Sequence, residues 1–197
     1  MTEKVLTARG QRTRRRLLEA AEQVIADVGY HDASIVKITE AAGVAQGTFY
    51  LYFNGKKEVF DELVRDLNRR VRRAMKEGSS HGKTRLEAEV LGFRAYFRFC
   101  AEHPALYRIV RQAEFVSPDM LHYHYERLSS GYVEALREAS ARGEIGRIDP
   151  EVTAWALMGM GELLGMRYVL WEGNEKLPPA VFDELARIIR CTLEAKG

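Results

Sequence analysis

Hydrophobic residues recur along this chain every three or four positions, which is the period of an amphipathic α-helix. One such stripe ends at Gly29, and a longer one, from Phe60 to Met75, ends at Gly78. We find no sustained alternation of apolar and polar residues, so the pattern predicts no β-strand. It predicts an all-α fold of about nine helices, with four before a linker at 79–82 and five after it. Prolines typical of a first helical turn support several of the later helices: Pro104, Pro118, Pro150, Pro178 and Pro179.

Length and composition narrow the class of protein. A chain of 197 residues can bury a core in one large domain or two small ones without disulfides. The longest apolar run stops at Glu162, well short of the ~20 residues that span a bilayer, and the N-terminus has no apolar segment typical of a signal peptide. We therefore expect no membrane association. Cys100 and Cys191 make neither a disulfide framework nor a metal pair, so we expect a reduced, cytoplasmic location and no cofactor.

The net charge of +2 conceals an uneven distribution. Residues 1–78 contain 15 Lys and Arg against 11 Asp and Glu, whereas residues 79–197 contain 15 against 17. The first part is therefore +4 and the second −2. This asymmetry favours a polyanionic partner at the N-terminal end, although a solvated basic tail is the alternative. Six cations lie within the first 16 residues: Lys4, Arg9, Arg12, Arg14, Arg15 and Arg16.

Two short predicted helices, over 34–42 and 45–51, are separated by a turn that contains Gly43. This arrangement is typical of a helix-turn-helix, in which glycine supplies the positive φ of the turn. The second helix carries small and polar side chains that can reach base edges, and Gln46 can read adenine through two hydrogen bonds. An ordinary helical hairpin is the alternative.

The string 47–53, Gly-Thr-Phe-Tyr-Leu-Tyr-Phe, followed by Lys-Lys-Glu at 56–58, is more specific. It resembles the signature of the tetracycline-repressor (TetR) family, and the resemblance covers about residues 10–65. The resemblance implies a dimeric transcription factor that binds a palindromic operator and is released by a small ligand. It implies a basic arm and DNA-binding domain over 1–53, a connecting helix over 55–77, and a ligand-binding and dimerisation domain over 78–197.

Candidate DNA contacts follow from the positions that match the family pattern. Two departures put individual contacts in doubt: Ala45-Gln46 stands where the family often has Ser-Lys, and Thr39 stands where alanine is favoured. We expect Gln46 to contact bases, with Thr48 as a second candidate, and Tyr50, Tyr52 and Lys57 to contact the DNA backbone. The full set of candidates is Ser34, Lys37, Thr39, Ala45, Gln46, Gly47, Thr48, Tyr50, Tyr52, Lys56 and Lys57.

The part of the chain after residue 78 holds 13 of the 19 aromatic residues. A largely apolar ligand pocket explains this excess, with a dimer interface or a plain packed core as alternatives. We expect an apolar or aromatic ligand, a class that includes acyl and aryl acids and their thioesters. Arg94 and Arg98 are further candidates for an anionic group, or else solvated side chains. The candidate ligand contacts are Phe93, Tyr96, Phe97, Cys100, Tyr107, Val110, Arg111, Phe115, Tyr125, Trp155, Met158 and Glu162.

The last two helices are expected to form a four-helix dimer interface, as in the family. Gly159, Gly161 and Gly165 would permit close helix approach there. We find no nucleophile–base pair, phosphate loop or metal-ligand set, and the sequence predicts a regulator rather than an enzyme. His122 and His124 stand two positions apart and point to different helix faces, so they predict no metal site. The remaining alternatives are an architectural DNA-binding protein without ligand control and a small-molecule enzyme that uses the aromatic pocket.

Overall fold

The computed structural model describes residues 6–194, and this part of the chain contains nine α-helices and no strand. This confirms the all-α prediction. Lys4, at the start of the predicted basic arm, lies outside the described residues. The helices are α1 (Ala8–Asp32), α2 (Ile35–Ala42), α3 (Gln46–Phe49), α4 (Lys56–Ser79), α5 (Arg85–Glu102), α6 (Ala105–Val116), α7 (Pro118–Ala141), α8 (Pro150–Gly165) and α9 (Pro179–Glu194).

Helix α1 is interrupted at the glycine where the sequence predicts its end. Gly29 has φ 81°, a left-handed value that a side chain disfavours, and one further turn follows as far as Asp32. At the other end, the Thr7 hydroxyl accepts a hydrogen bond from the Gly10 amide at 3.2 Å. This N-cap begins α1 nine residues before the first buried leucine, Leu17, so the basic residues of the arm from Arg9 onwards are helical.

The helix-turn-helix forms as its residue types dictate. Ser34 caps α2 by accepting a hydrogen bond from the Lys37 amide at 3.1 Å. Gly43 ends α2 in the left-handed region, at φ 62°. Helix α3 is a single turn ending at Phe49, shorter than the predicted segment to residue 51, and Phe49 itself is fully buried.

Helix α8 begins at a strong N-cap and ends irregularly. Asp149 accepts hydrogen bonds from the amides of Glu151 and Val152, each at 3.0 Å, with Pro150 in the first turn of α8. Beyond Gly165 the chain continues as a π-helical segment, Met166–Trp171. Such segments often mark functional positions in helical proteins.

The described residues fall into two compact units. The first unit comprises residues 6–66 and Arg108–Leu121, and the second comprises Leu67–Tyr107 and residues 122–194. Helices α4, α6 and α7 each contribute residues to both. The predicted boundary near residue 78 stays a prediction, and the assignment of 108–121 to the first unit could not be seen in the sequence, since it depends on contacts with α1.

Each unit buries its own apolar side chains. In the first, Leu17, Ile25 and Ile38 have no exposed surface. In the second, α5, α7, α8 and α9 share a core whose largest members are Phe93, Phe97, Leu136, Leu157, Phe182, Leu185 and Ile189.

Candidate DNA interface and ligand pocket

The surface of α3 is open to solvent at the positions expected to meet DNA. Ala45, Gln46 and Gly47 are exposed, and Tyr50 is 54% exposed. Phe49 points the other way, and its ring lies 5.5 Å from that of Phe53. Phe49 therefore anchors α3, while its neighbours in the signature remain available to a partner.

A cationic concavity adjoins this surface within the first unit. It lies between α1 and the turn of the helix-turn-helix, and the side chains that line it include three arginines and no carboxylate. Such a concavity suits a phosphate backbone because it combines positive charge with hydrogen-bond donors. Its lining residues are Arg9, Arg12, Thr13, Arg16, Gly43, Val44, Ala45 and Thr48.

Not every arginine of the predicted basic arm is available to DNA. Arg16 donates a hydrogen bond to the Ala42 carbonyl and so caps the end of α2. Arg14 lies over the Phe53 ring at 5.0 Å and pairs with Glu62 at 3.6 Å. These two arginines hold the helix-turn-helix in place, which leaves Arg9 and Arg12 as the freer cations of this surface.

The three candidates in and before α2 have different environments. Ser34 serves as the N-cap, and the Lys37 ammonium group donates to the Asp32 carbonyl at 3.0 Å from an exposed side chain. Thr39 is only 2% exposed, and its hydroxyl donates to the carbonyls of Ile35 and Val36, both at 3.0 Å. The structure therefore places Thr39 in the core, with its hydroxyl bonded to backbone carbonyls of its own helix.

Lys56 is engaged inside the first unit. Its ammonium group donates to the carbonyls of Tyr30 at 2.6 Å, Ala33 at 2.7 Å and His31 at 3.2 Å. It also lies 4.4 Å from the centre of the Tyr30 ring. All three ammonium donors therefore stabilise the end of α1, and Lys56 has none left for a phosphate.

Lys57 and Tyr52 remain accessible. The side chain of Lys57 is 58% exposed and forms an ion pair with Asp61 at 2.8 Å. It also donates to the Ser117 hydroxyl at 3.0 Å. Tyr52 is half-buried. Surface ion pairs of this kind are weak, so DNA can compete for the Lys57 ammonium group.

Four of the predicted ligand residues pack against one another in the second unit. Phe97, Cys100 and Tyr107 are each at most 4% exposed, and the hydroxyls of Tyr96 and Tyr107 lie 3.0 Å apart. Burial raises the pKa of the Cys100 thiol to about 12, so it stays neutral and unreactive. The arrangement is that of a packed core, which was the alternative to a ligand pocket.

Tyr125, Trp155 and Glu162 form a second group. The Tyr125 hydroxyl donates to Glu162 at 2.7 Å, and its ring centre lies 6.1 Å from that of Trp155. Trp155 is 44% exposed. The structure therefore explains the one acidic residue in the apolar run as the acceptor of a tyrosine hydrogen bond.

The three remaining α6 candidates belong to the first unit. Val110 is buried there, whereas Arg111 is exposed and Phe115 is 82% exposed. The predicted ligand residues are therefore not gathered at one place in the second unit.

A cavity of about 450 Å³ does lie in the second unit, a volume within the ~300–1,000 Å³ typical of small-molecule sites. Of the predicted ligand residues, only Phe93 and Met158 line it. Its other walls come from the end of α4, the first half of α5 and the middle of α7. These walls had no signal in the sequence, because charged residues such as Arg72 and Arg85 have the spacing of an ordinary helix surface.

Two of the three α8 glycines serve packing inside one chain. A Cβ atom on Gly161 would lie 2.8 Å from a ring carbon of Phe93, and one on Gly165 would overlap the Tyr107 hydroxyl. Gly159, in contrast, faces open space. Gly161 and Gly165 therefore allow α8 to approach the core of its own unit closely, whereas the sequence predicted a close approach between two protomers.

Comparison with known proteins decides the family. Residues 17–63 match the model of the bacterial regulatory proteins of the tetR family. The fatty acid metabolism regulator protein of Bacillus subtilis (strain 168) is 30% identical over 160 residues, which cover 72% of this chain and 82% of that protein. The chain belongs to the TetR family. It is therefore a DNA-binding transcriptional regulator, as the signature at 47–53 predicted.

Solved structures agree with this TetR-family assignment. The fatty acid degradation regulator FadR of Bacillus halodurans is 25% identical, with a TM-score of 0.78, and the match covers 94% of this chain and 96% of that one. FadR of Bacillus subtilis, in complex with stearoyl-CoA, is 23% identical and has a TM-score of 0.78, covering 91% and 98%. The latter likeness shows the fold alone.

Two contacts of this TetR-family chain had no signal in the sequence. The Gln112 side chain accepts a hydrogen bond from the Tyr30 amide at 2.5 Å, and Arg108 donates to the Ala26 carbonyl at 3.1 Å. Both partners are 82 residues away along the chain. These contacts tie α6 to the end of α1.

Among the described helices, none is long and apolar enough to span a membrane.

Proposed function

We propose that this protein is a homodimeric transcriptional repressor that binds a palindromic operator and is released from it by a small amphipathic ligand. The observation that carries the proposal is the single-turn helix α3, whose polar positions are exposed beside a cationic concavity. A recognition helix must present such positions to base edges while cations contact the phosphates. Gln46 is the residue we assign to base recognition, and Arg9, Arg12, Tyr50 and Lys57 are those we assign to phosphates.

Dimerisation is inferred from an uncovered apolar face on α8 and its π-helical extension. Val152 is 65% exposed, Leu163 61% and Trp171 66%, and Trp155 joins them at 44%. Val152, Trp155 and Leu163 have the spacing of one helical face, and large exposed apolar side chains on one face are typical of an interface. We assign this face to a second copy of the chain, together with α9, as the family pattern implies.

The ligand class is supported by the cavity and by two relatives. The architectural alternative requires no cavity in the second unit, whereas about 450 Å³ is available there. One relative is a fatty acid metabolism regulator, and one structural neighbour was solved with stearoyl-CoA. We therefore propose a fatty acid or its acyl thioester as the ligand.

Release would act through the helices shared by the two units. Helix α4 begins with Lys56 in the first unit and ends with Ser79 in the second. Displacement of α4 by the ligand would alter the spacing of the two recognition helices, which must match half-sites about 34–36 Å apart. Ligand and operator would then oppose one another reciprocally.

In vitro selection from random DNA, followed by sedimentation of the complex, tests this proposal. We expect a palindromic consensus bound by two chains per half-site pair, with affinity that falls steeply as salt rises. A monomeric complex, or recovered DNA with no shared sequence, would contradict it.

A further inference from the structure

An exposed leucine lies next to the residues that we assign to DNA. Leu51 is 75% exposed, although Phe49 and Phe53, two positions away on either side, are buried. Single exposed apolar side chains are common on protein surfaces, so this exposure alone indicates nothing. What Leu51 can contact depends on where it lies relative to α3.

Leu51 continues the helical turn of α3. Its amide donates to the Thr48 carbonyl at 3.3 Å, and the Tyr52 amide donates to the Phe49 carbonyl at 3.0 Å. Residues four positions apart on a helical turn share one face, so Leu51 lies on the same face as Gly47. Both are exposed, whereas Phe49 is fully buried on the other side of α3.

Gly47 is the second unusual residue of this face. Its φ is not positive, unlike that of Gly43, and a Cβ atom on Gly47 would meet no atom of the described neighbourhood within 4 Å. Neither turn geometry nor packing against the described residues therefore requires glycine at this position. Glycine is also a poorer helix former than alanine. The space that a Cβ atom would fill is open to a partner outside the chain.

The bare backbone at Gly47 and the Leu51 side chain together form a small apolar surface. A helical side chain is directed towards the turn before it, so the Leu51 side chain is directed towards the space beside Gly47. The cationic concavity adjoins this surface, because Ala45 and Thr48 line it. Positive charge beside the apolar surface favours a polyanion as its partner over a second copy of the chain.

DNA offers one apolar group to such a surface. In the major groove, the edges of adenine, guanine and cytosine carry hydrogen-bond donors and acceptors, whereas thymine also carries a 5-methyl group. An exposed leucine gains nothing from a polar base edge, but it can remove this methyl group from water. Gln46, beside Gly47, is suited to adenine, so both contacts favour A·T pairs.

We propose that Leu51 is a specificity-determining residue that packs on a thymine methyl group in each operator half-site, and that Gly47 lets α3 come close enough for this contact. The inference rests on the proposed function, since it names a base group that the regulator recognises. It adds an apolar contact to the hydrogen bonds assigned to Gln46.

Replacing thymine by uracil in the selected operator tests the contact, because uracil lacks only the methyl group and pairs with adenine in the same way. Fluorescence anisotropy would compare operators in which one symmetric pair of thymines at a time is replaced. We expect one pair to be sensitive. Its replacement should weaken binding about fourfold per half-site and about 16-fold in total, as expected for two buried methyl groups.

Leu51→Ala should weaken binding to the thymine operator by a similar factor. On the operator with uracil at the sensitive pair, the same substitution should cost less than twofold, because the methyl group that Leu51 contacts is already absent. The matched control is Val28→Ala, which shortens a 42% exposed apolar side chain on α1. We expect it to bind both operators within twofold of the wild type.

Gly47→Ala tests the close approach separately from the fold. Because the added Cβ atom meets no described neighbour and alanine favours a helix, the thermal midpoint should be equal to or higher than that of the wild type. Operator binding should be at least tenfold weaker. Operator binding equal to that of the wild type, or a lowered thermal midpoint, would overturn this role of Gly47.

Two results would overturn the contact of Leu51: no thymine pair whose replacement weakens binding, or a Leu51→Ala loss that is the same on the thymine and uracil operators. A change in the sedimentation of the free chain on Leu51→Ala would assign the leucine to a second copy instead, and would also overturn it. A palindrome bound equally well with thymine or uracil refutes this inference and supports the regulator. Failure to select any shared sequence refutes the proposed function itself.

Discussion

Replacing Lys56 by methionine should destabilise the first unit without removing a DNA contact. The substitution keeps the length of the side chain and deletes the ammonium group that bonds the carbonyls of Tyr30, Ala33 and His31. The first two bonds are partly buried and short, and each contributes about 1–2 kcal/mol once partial access of water is allowed for. The third is exposed and adds little. The contact with the Tyr30 ring adds about 0.5–1 kcal/mol, so the expected loss is about 2–4 kcal/mol.

Lys57→Met is the matched control, one residue along α4. The Lys57 side chain is 58% exposed, and its loss removes the ion pair with Asp61 and the partly buried hydrogen bond to Ser117, so we expect a smaller cost of about 0.5–1.5 kcal/mol. Hydrogen exchange over residues 30–49 measures the local effect, because both tryptophans, Trp155 and Trp171, lie in the second unit and fluorescence would report on that unit. We expect markedly faster exchange for Lys56→Met and a smaller increase for Lys57→Met.

Salt dependence of operator binding completes this comparison. If Lys57 neutralises one phosphate, Lys57→Met should reduce the slope of log K against log salt by about 0.9 per chain. Lys56→Met should leave that slope unchanged at conditions where the variant is folded. The reasoning is refuted if Lys56→Met exchanges like the wild type and lowers the salt slope instead.

Three further predictions follow from single contacts. Burial lowers the pKa of His124 to about 4, below the ~6.5 of an exposed histidine. The stability that the neutral ring contributes above about pH 6.5 is therefore lost as the pH falls towards 4, and the loss is about 2 kcal/mol at pH 5. Urea unfolding at pH 7.5 and 5.0 should show this loss in the wild type and a smaller one in His124→Gln. Gly165→Ala should destabilise the fold by about 1–3 kcal/mol, because the added Cβ clashes with the buried Tyr107 hydroxyl. Gly131→Ala, whose Cβ would meet no neighbour, should be neutral or stabilising by up to about 1 kcal/mol. Equal thermal midpoints of the two variants would contradict this. Tyr50→Ala should weaken binding to all DNA and Gln46→Ala should change the preferred operator sequence, so unaltered selectivity of Gln46→Ala in a binding selection would show that Gln46 reads no base.

The sequence was most informative where structure depends on local residue types. Ser34 and Gly43 bound α2 as predicted, because capping and positive φ depend on the residue at that position. The family signature places Phe49 inside and Tyr50 outside for the same reason. Local chemistry therefore located the recognition helix to within about two residues.

The roles of charged side chains were harder to predict. Lysines and arginines have the same spacing along the chain whether their side chains contact DNA, a backbone carbonyl or a ligand cavity. Lys56 lies in a signature that suggests phosphate contact, yet its partners are carbonyls 23 to 26 residues away. Arg72 and Arg85 lie on two helices, and only the fold brings them to one cavity. The assignment of Phe97 and Tyr107 to a ligand stays a prediction, since a buried aromatic side chain has the same spacing in a core as in a pocket.

The effect of a ligand on operator affinity tests the central claim most directly. Fluorescence anisotropy with the selected palindrome, at one fixed salt concentration, should give a dissociation constant at least tenfold larger with saturating dodecanoate or dodecanoyl-CoA than without. That factor corresponds to a coupling free energy of about 1.4 kcal/mol, and the operator should weaken ligand binding by the same factor. An operator affinity that neither compound changes, although one of them binds the protein, would contradict a ligand-released regulator.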